Sequence, residues 1–263
     1  MKKHSVLAGL LALNALGHRA TAQTSPAARS VALDTVAVTG KVQQLTLLPP
    51  GERATRFGGL PLPPGLPLPP GRRVAVRFQP PAAGHEYDIR SVTLHCSVLF
   101  NASATGSLLV QLAPADSTGE PTSRYLLPAP YVLTARQVRR ARRGTLTLGL
   151  QGQLALPPQG VFVLLTGAPA PGEAFVADTM KLEKLGGEQR RVAYVQVRSQ
   201  TSGTTRLVSA ADYISLLTIV TTEQPVTWSS GRDQRWRRAS LSVPQLPRYR
   251  PHNYWVELGV TEL

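Results

Sequence analysis

Cysteine is nearly absent from this 263-residue chain, which contains Cys96 alone. A single cysteine cannot form an intramolecular disulfide, so packing and hydrogen bonds must stabilise the fold. Cys96 lies in an alternating segment that predicts a strand, with Val92, Leu94 and Val98 on the same face. His95 points to the opposite face and is badly placed to activate the neighbouring thiol. Cys96 is therefore predicted to be a buried, inert side chain.

Familiar catalytic motifs are also lacking. The sequence has no Gly-x-Ser-x-Gly elbow, no His-Glu-x-x-His pair and no phosphate-binding glycine loop. Its densest group of titratable side chains is His85-Glu86-Tyr87-Asp88, and only His95 and His252 remain as further histidines after the first 22 residues. We expect this tetrapeptide to be a solvated loop, with no metal and no cofactor bound. Two distant carboxylates could still converge as a glycosidase pair, so a polysaccharide-acting hydrolase stays open as an alternative.

Long apolar runs are also missing. After the first 22 residues, no stretch reaches the roughly 18 apolar residues that a membrane helix needs. The first 22 residues have the three parts of a signal peptide: Lys2 and Lys3, an apolar run over residues 6–16, and the small-x-small site Ala20-Thr21-Ala22. We expect cleavage before Gln23 and export to the periplasm, the cell surface or the medium. No cysteine follows the apolar run, so we expect no lipoprotein anchor.

Acidic residues are few, since 15 Asp and Glu stand against 29 Lys and Arg. Without the three basic residues of the signal peptide, 26 basic residues remain against the same 15 acids, a net charge of +11. Only Lys41, Lys181 and Lys184 then remain as lysines, so the excess is nearly all arginine. Such a surface attracts anions. For an exported protein these are an anionic glycan or lipopolysaccharide, and the export signal argues against nucleic acid.

Hydrophobic periodicity indicates strands almost throughout. Alternation of apolar and polar residues predicts strands at 74–78, 108–112, 145–150 and 254–260. The continuous apolar runs 161–165 and 214–220 predict strands buried on both faces. Asp116-Ser117-Thr118-Gly119 predicts a hairpin turn, and Ser209-Ala210-Ala211-Asp212 is the best candidate for a single helical turn. The predicted fold class is all-β, an antiparallel, jelly-roll-like β-sandwich with an N-terminal Pro-rich segment.

The Pro-rich segment divides the chain. Leu60-Pro61-Leu62-Pro63-Pro64-Gly65 is repeated at once as Leu66-Pro67-Leu68-Pro69-Pro70-Gly71. Prolines this dense oppose ladder pairing and favour an extended polyproline II spacer, with a recognition sequence for an aromatic groove as the alternative. The predicted organisation is a signal peptide (1–22), a leading β segment (23–51), a Pro-rich linker (52–73) and a β-sandwich domain (74–263).

Three short motifs occur in a fixed order within residues 52–263. Asp116-x-x-Gly119-x-Pro121 precedes Pro158-x-Gly160-Val161-Phe162-Val163, and Trp236 with Asn253-x-x-x-Glu257 follows near the end. This order resembles an exported β-sandwich module of Bacteroidetes-type proteins, which often lies beside a carboxypeptidase-regulatory-like domain. No segment of this sequence corresponds to that neighbouring domain. The resemblance implies a jelly-roll-like fold and an envelope or surface role, and it carries over no catalytic residue.

Two arginine clusters are the candidate ligand-binding residues. The first has five arginines within eight residues and no acid: Arg136, Arg139, Arg140, Arg142 and Arg143. The second lies near the three tryptophans, Trp228, Trp236 and Trp255, and contains one acid, Asp233; its members are Arg232, Arg235, Arg237, Arg238, Arg248, Tyr249 and Arg250. Aromatic faces beside guanidinium groups suit sugar rings that carry carboxylates or phosphates. Two solvated loops at the edge of the sandwich are the alternative interpretation.

These features together predict an exported, non-enzymatic envelope or surface protein. Its partner would be an anionic glycan, another polyanion such as lipopolysaccharide, or an envelope protein. Besides the hydrolase, a small outer-membrane β-barrel stays open as an alternative. The many internal prolines and the short strands argue against that barrel.

Overall fold

Strands dominate the structure, a computed structural model that describes residues 43–53, 65–185, 187–221, 223–231, 233–238 and 252–263. The strands are, in chain order, β1 (Gln44–Leu47), β2 (Glu52–Arg53), β3 (Gly65–Pro67), β4 (Arg73–Phe78), β5 (Tyr87–His95), β6 (Ser107–Pro114), β7 (Tyr131–Thr134), β8 (Thr145–Gly149), β9 (Val161–Ala168), β10 (Glu173–Leu185), β11 (Glu188–Ser199), β12 (Thr205–Ser209), β13 (Ser215–Val220), β14 (Thr227–Ser230), β15 (Trp236–Arg238), β16 (His252–Tyr254) and β17 (Val256–Glu262). A short helix, α1 (Ala135–Arg140), and two 3-10 turns, Arg142–Gly144 and Ala210–Asp212, are also present. The prediction of an all-β fold is confirmed.

Two antiparallel sheets contribute to the main hydrophobic core. The larger sheet has six strands in the order β15-β14-β4-β9-β6-β7, and the smaller has four in the order β1-β17-β5-β8. One cluster of buried side chains includes Val76, Leu112 and Val163 from the larger sheet and Ile89 and Leu258 from the smaller. This core holds the two sheets together by burial of apolar surface. The jelly-roll connectivity stays a prediction.

Strand β9 is buried on both faces, as its apolar run predicts. Val163 and its alternating neighbours face the main core. Phe162 and Leu164 point the other way and form a second buried cluster with Ala75 of β4 and Ala113 of β6. This second cluster lies on the opposite face of the six-stranded sheet, and it is the surface against which the candidate site is built.

The second copy of the Pro-rich repeat belongs to the folded body. Strand β3 pairs antiparallel with β13, and the buried Leu68 donates its N–H to the Ile214 carbonyl at 2.9 Å. The prediction that this segment stays outside any ladder is therefore wrong for residues 65–67. The prolines lack an N–H, but Gly65, Leu66 and Leu68 between them keep theirs, and the leucines supply apolar surface. Residues 60–64 of the first copy lie outside the described residues.

Helix α1 carries part of the first arginine cluster, where the sequence predicted no helix. Its N-terminus is a capping box: Gln137 donates its N–H to the Thr134 hydroxyl, and the Gln137 side chain accepts from the Thr134 N–H at 2.8 Å. Ala135 and Val138 are buried. Six residues are less than two turns, too few for a periodic signal. The turn predicted at residues 209–212 is confirmed as the 3-10 turn Ala210–Asp212, capped by the Ser209 hydroxyl.

Strands β10, β11 and β12 form a separate three-stranded sheet. Val195, Val197, Val208 and Tyr213 make its own small core. Because β12 pairs with β11 only over residues 194–198, the outer part of the β10–β11 hairpin is a two-stranded ribbon. All described residues fall within one unit, Lys41–Leu263. The predicted signal peptide and most of the predicted leading segment lie outside them.

Candidate anion-binding site

A pocket of about 550 Å³ lies beside the edge of the six-stranded sheet. Four arginines line it: Arg72, Arg73, Arg191 and Arg237. The pocket is bounded by the β3–β4 connection, by β11, by the Ala210–Asp212 turn and by β14 and β16. Its lining also includes hydroxyl groups, contributed by Ser209, Ser229, Ser230 and Tyr254.

Strand register places arginine and tryptophan side chains next to each other on one face of the sheet. Ser230 of β14 pairs with Arg73 on one side and with Trp236 on the other, so these three side chains share a face. The Arg73 guanidinium carbon lies 4.8 Å from the centroid of the Trp236 ring. On the next rung of the same face, Arg238 lies 6.0 Å from the Trp228 ring. Both distances fit cation–π contacts, which favour a cation over the ring face.

The second buried cluster supports both indoles. Trp228 and Trp236, each partly buried, pack against this cluster, where small alanine side chains leave room for the rings. Trp228 also meets Phe162 edge to face, with ring centroids 6.3 Å apart. Packing therefore fixes the two indoles on the sheet, and the indoles in turn limit the movement of Arg73 and Arg238, which lie over them.

Positive charge in this pocket is poorly compensated. Among the residues that the structure describes, none that lines the pocket is acidic. Arg237 forms an ion pair with Asp233, but Arg72, Arg73 and Arg191 have no acidic partner in the described part of the chain. Guanidinium groups gathered in a concave site concentrate the field and attract anions, and their planar forks match carboxylates and phosphates.

The structure places only part of the second predicted cluster at this site. Trp236, Arg237 and Arg238 form β15, and the exposed Arg235 precedes it, its backbone N–H 3.4 Å from the Asp233 carboxylate. The remaining predicted residues, Arg232, Arg248, Tyr249 and Arg250, lie outside the described residues. The third tryptophan, Trp255, stacks instead on His95 with ring centroids 3.9 Å apart, and His95 Nε2 lies 2.7 Å from Glu257 Oε1.

Sequence reasoning missed three of the four pocket arginines. Arg72 and Arg73 lie at the end of the segment interpreted as a linker, and Arg191 lies in the β10–β11 hairpin. Each belongs to an adjacent arginine pair, Arg72-Arg73 and Arg190-Arg191, which is the only local signal that the sequence offers. Their convergence depends on strand pairing between distant segments.

The first predicted cluster forms a different surface. Arg136, Arg139 and Arg140 lie on α1, and Arg142 and Arg143 lie in the 3-10 turn that follows. All five are exposed, and none of them lines the 550 Å³ pocket. Arg139 Nη1 donates to the Ala104 carbonyl at 2.5 Å, so one member of this cluster also supports the neighbouring loop.

Three other titratable side chains considered in the sequence, Tyr87, Asp88 and Cys96, are buried. The prediction that Cys96 is buried is confirmed, and burial raises the pKa of its thiol to about 12. Tyr87 and Asp88 are buried in β5, so the prediction of a solvated loop is wrong for these two residues. The Asp88 carboxylate accepts the Leu154 N–H at 2.5 Å and lies 2.8 Å from the Arg90 guanidinium. In the described ranges, no three His, Cys, Asp or Glu side chains are grouped so that they could hold a metal ion.

Comparison with protein-family models, with curated proteins and with solved structures finds no match for this chain. The resemblance to the exported β-sandwich module therefore stays a prediction. None of the helices in the described part of the chain has the length and apolar character needed to cross a bilayer.

Proposed function

We propose that this chain is an exported, non-enzymatic protein that binds an anionic glycan in the arginine pocket. The observation that carries the proposal is the convergence of Arg72, Arg73, Arg191 and Arg237 on a pocket whose described lining residues include no acid. A carboxylate or phosphate on the glycan would replace the missing counter-charge, and charge-assisted hydrogen bonds to guanidinium are among the stronger polar contacts in proteins.

Trp236 supports binding through Arg73 in this proposal. The indole holds the guanidinium 4.8 Å above its ring, so Arg73 loses less side-chain freedom when an anion binds. Replacing Trp236 with Ala frees Arg73 and lowers affinity while the net charge stays the same. This effect separates an organised site from simple charge attraction.

A polysaccharide-acting hydrolase is less well supported. Hydrolysis of a glycosidic bond by the usual route needs two carboxyl groups on either side of the scissile bond. No described residue that lines this pocket supplies even one. Binding without cleavage is therefore the activity that this lining favours.

The experiment that tests the proposal measures retention on a polygalacturonate column as salt is raised. The triple variant Arg72→Ser, Arg73→Ser, Arg191→Ser removes three pocket charges. Its control, Arg124→Ser, Arg142→Ser, Arg198→Ser, removes three exposed arginines that do not line the pocket. Loss of one charge-assisted contact weakens binding by about tenfold. The pocket variant should elute at clearly lower salt than the control, and Trp236→Ala should elute between wild type and the pocket variant.

Equal elution of the two triple variants would contradict the proposal. Retention would then follow net charge alone, and a partner protein would become the better hypothesis. Dextran, a neutral polysaccharide, serves as the second control, and it should retain neither wild type nor variant.

A further inference from the structure

Three consecutive apolar side chains are exposed in the loop after β5. Val98, Leu99 and Phe100 are 63%, 59% and 45% exposed. Large apolar side chains gathered at one point of a surface mark a place where the protein meets an apolar partner. No residue of this loop lines the arginine pocket, so the feature is separate from the proposed glycan site.

Buried hydrogen bonds hold this apolar loop in place. The buried Asn101 donates from Nδ2 to the Ser215 carbonyl at 2.7 Å, and its Oδ1 accepts the Ser215 N–H, also at 2.7 Å. Asn101 also donates its own N–H to the Ser97 carbonyl at 3.1 Å. The exposure of Val98 and Leu99 is therefore a property of an anchored loop.

The first arginine cluster lies against the same loop. A cavity of about 260 Å³ is lined jointly by the loop, including Val98 and Asn101, and by the α1 segment, including Val138 and Arg139. Arg139 bonds the Ala104 carbonyl, and the Cys96 N–H donates to the Gly144 carbonyl at 2.8 Å. The cluster's five exposed arginines have no ion pair within the described residues.

We propose that this apolar loop and the arginines beside it dock the protein onto an anionic lipid surface. Val98, Leu99 and Phe100 would enter the boundary between headgroups and acyl chains, while the arginines contact the headgroup phosphates. The charge of the arginines indicates what binds here. An exposed apolar loop beside five arginines without acidic partners in the described residues matches the surface of an anionic bilayer, in which acyl chains lie directly beneath a layer of phosphates. Either contribution alone is weak, and the two together give stable peripheral binding.

The test is sedimentation of the purified protein with vesicles of mixed phosphatidylcholine and phosphatidylglycerol, and with vesicles of phosphatidylcholine alone. Val98→Ser with Leu99→Ser should lower the partition coefficient by about tenfold or more, because two apolar side chains lose their burial. Met180→Ser with Leu182→Ser is the matched control, since these side chains are 61% and 67% exposed on the β10–β11 hairpin and do not line the cavity beside the loop. The control should bind as wild type does. The N-terminal residues are the same in every protein compared, so their contribution is common.

A charge variant completes the design. Arg136→Ser, Arg140→Ser and Arg142→Ser leave Arg139 in its structural contact, and each arginine near an anionic surface contributes about fivefold. The triple variant should lose binding to the mixed vesicles and keep its retention on polygalacturonate. Undiminished vesicle binding by the loop variant, equal losses in the loop and hairpin variants, or equal binding of wild type to both kinds of vesicle would each overturn the proposal. Unchanged thermal unfolding midpoints will show that the variants are folded.

Discussion

The amide of Asn253 joins segments that are far apart in the sequence, and its removal gives the sharpest test of the fold. Asn253 is 0% exposed and lies in β16, paired with Ile219 of β13. Its Oδ1 accepts the N–H groups of Val226 at 2.9 Å and Thr227 at 3.1 Å, and its Nδ2 donates to the Pro50 carbonyl at 2.8 Å. The Asn253 side chain therefore connects β16 both to the segment at Pro50, between β1 and β2, and to the start of β14.

Replacing Asn253 with Ala leaves two N–H donors and one carbonyl without their partner. A buried group left unsatisfied costs about 1–3 kcal/mol, so we expect a loss of about 3–5 kcal/mol if water reaches some of them. Urea unfolding followed by tryptophan fluorescence gives the free energy of unfolding by linear extrapolation. Because β14 carries Ser229 and Ser230 of the arginine pocket, retention on polygalacturonate should fall as well.

Asn253→Asp is the informative control. It keeps the acceptor for the Val226 and Thr227 N–H groups but directs a carboxylate oxygen at the Pro50 carbonyl, so it exchanges one favourable contact for a repulsive one. Loss of less than about 1 kcal/mol in Asn253→Ala would refute the reasoning, since a single ordinary hydrogen bond already contributes that much.

Further predictions concern the buried thiol, the turn beside it and the N-terminus. Cys96→Ser should cost about 1–2 kcal/mol in urea unfolding and leave polygalacturonate retention intact, because a hydroxyl is harder to desolvate than a thiol. Burial raises the pKa of Cys96 from 9.0 to about 12 in the folded protein, so the stability that Cys96 contributes is full below pH 9 and is lost as the pH rises to 12. The free energy of unfolding should therefore fall between pH 9 and pH 12, and it should fall less steeply in Cys96→Ser. Gly144→Ala should destabilise by about 1–3 kcal/mol or more in the same assay, since φ is +73° and a Cβ would lie 2.3 Å from the Cys96 carbonyl oxygen. Expressed with its leader in a Gram-negative host, the protein should begin at Gln23 by N-terminal sequencing, and an exported form that retains Met1 would contradict this.

Elements with local signals could be predicted from the sequence. The apolar run 161–165 predicts β9 because a strand covered on both faces has no polar side to show. The turn at residues 116–119 is also local. Asp116 Oδ1 accepts the Thr118 hydroxyl at 2.7 Å, the Glu120 N–H at 2.8 Å and the Thr118 N–H at 2.9 Å. These hydrogen bonds, first of all the one from the hydroxyl, hold the pKa of the Asp116 carboxyl below its ordinary value. Every hydrogen-bond partner lies within four residues of Asp116, so the local sequence is enough to predict this turn.

The arginine pocket could be predicted only in part, because pairing between distant strands creates it. Trp236 and Arg237 attract notice as neighbours in sequence, whereas Arg73 reaches them only through the β4–β14 pairing. The error in the Pro-rich segment has a related cause. Each proline taken singly predicts that no strand pairing occurs, because it lacks an N–H. A strand of three residues needs few N–H donors, however, and the pairing of β3 with β13 leads into Leu68, which is buried in the core.

The two arginine surfaces show why charge alone does not identify a ligand. Both are rich in guanidinium groups, yet the pocket is concave and holds one of its arginines, Arg73, over the Trp236 indole, while the α1 surface lies against an exposed apolar loop. Exposed charges are screened over about 8–10 Å at physiological salt, so shape and neighbouring groups must separate the ligands. The pocket and α1 triple variants each remove three positive charges, which makes them matched controls for one another. If the pocket variant loses glycan retention and the α1 variant loses vesicle binding, the two surfaces act independently. If each variant weakens both activities equally, the net charge of the protein accounts for all of the binding, and neither geometry matters.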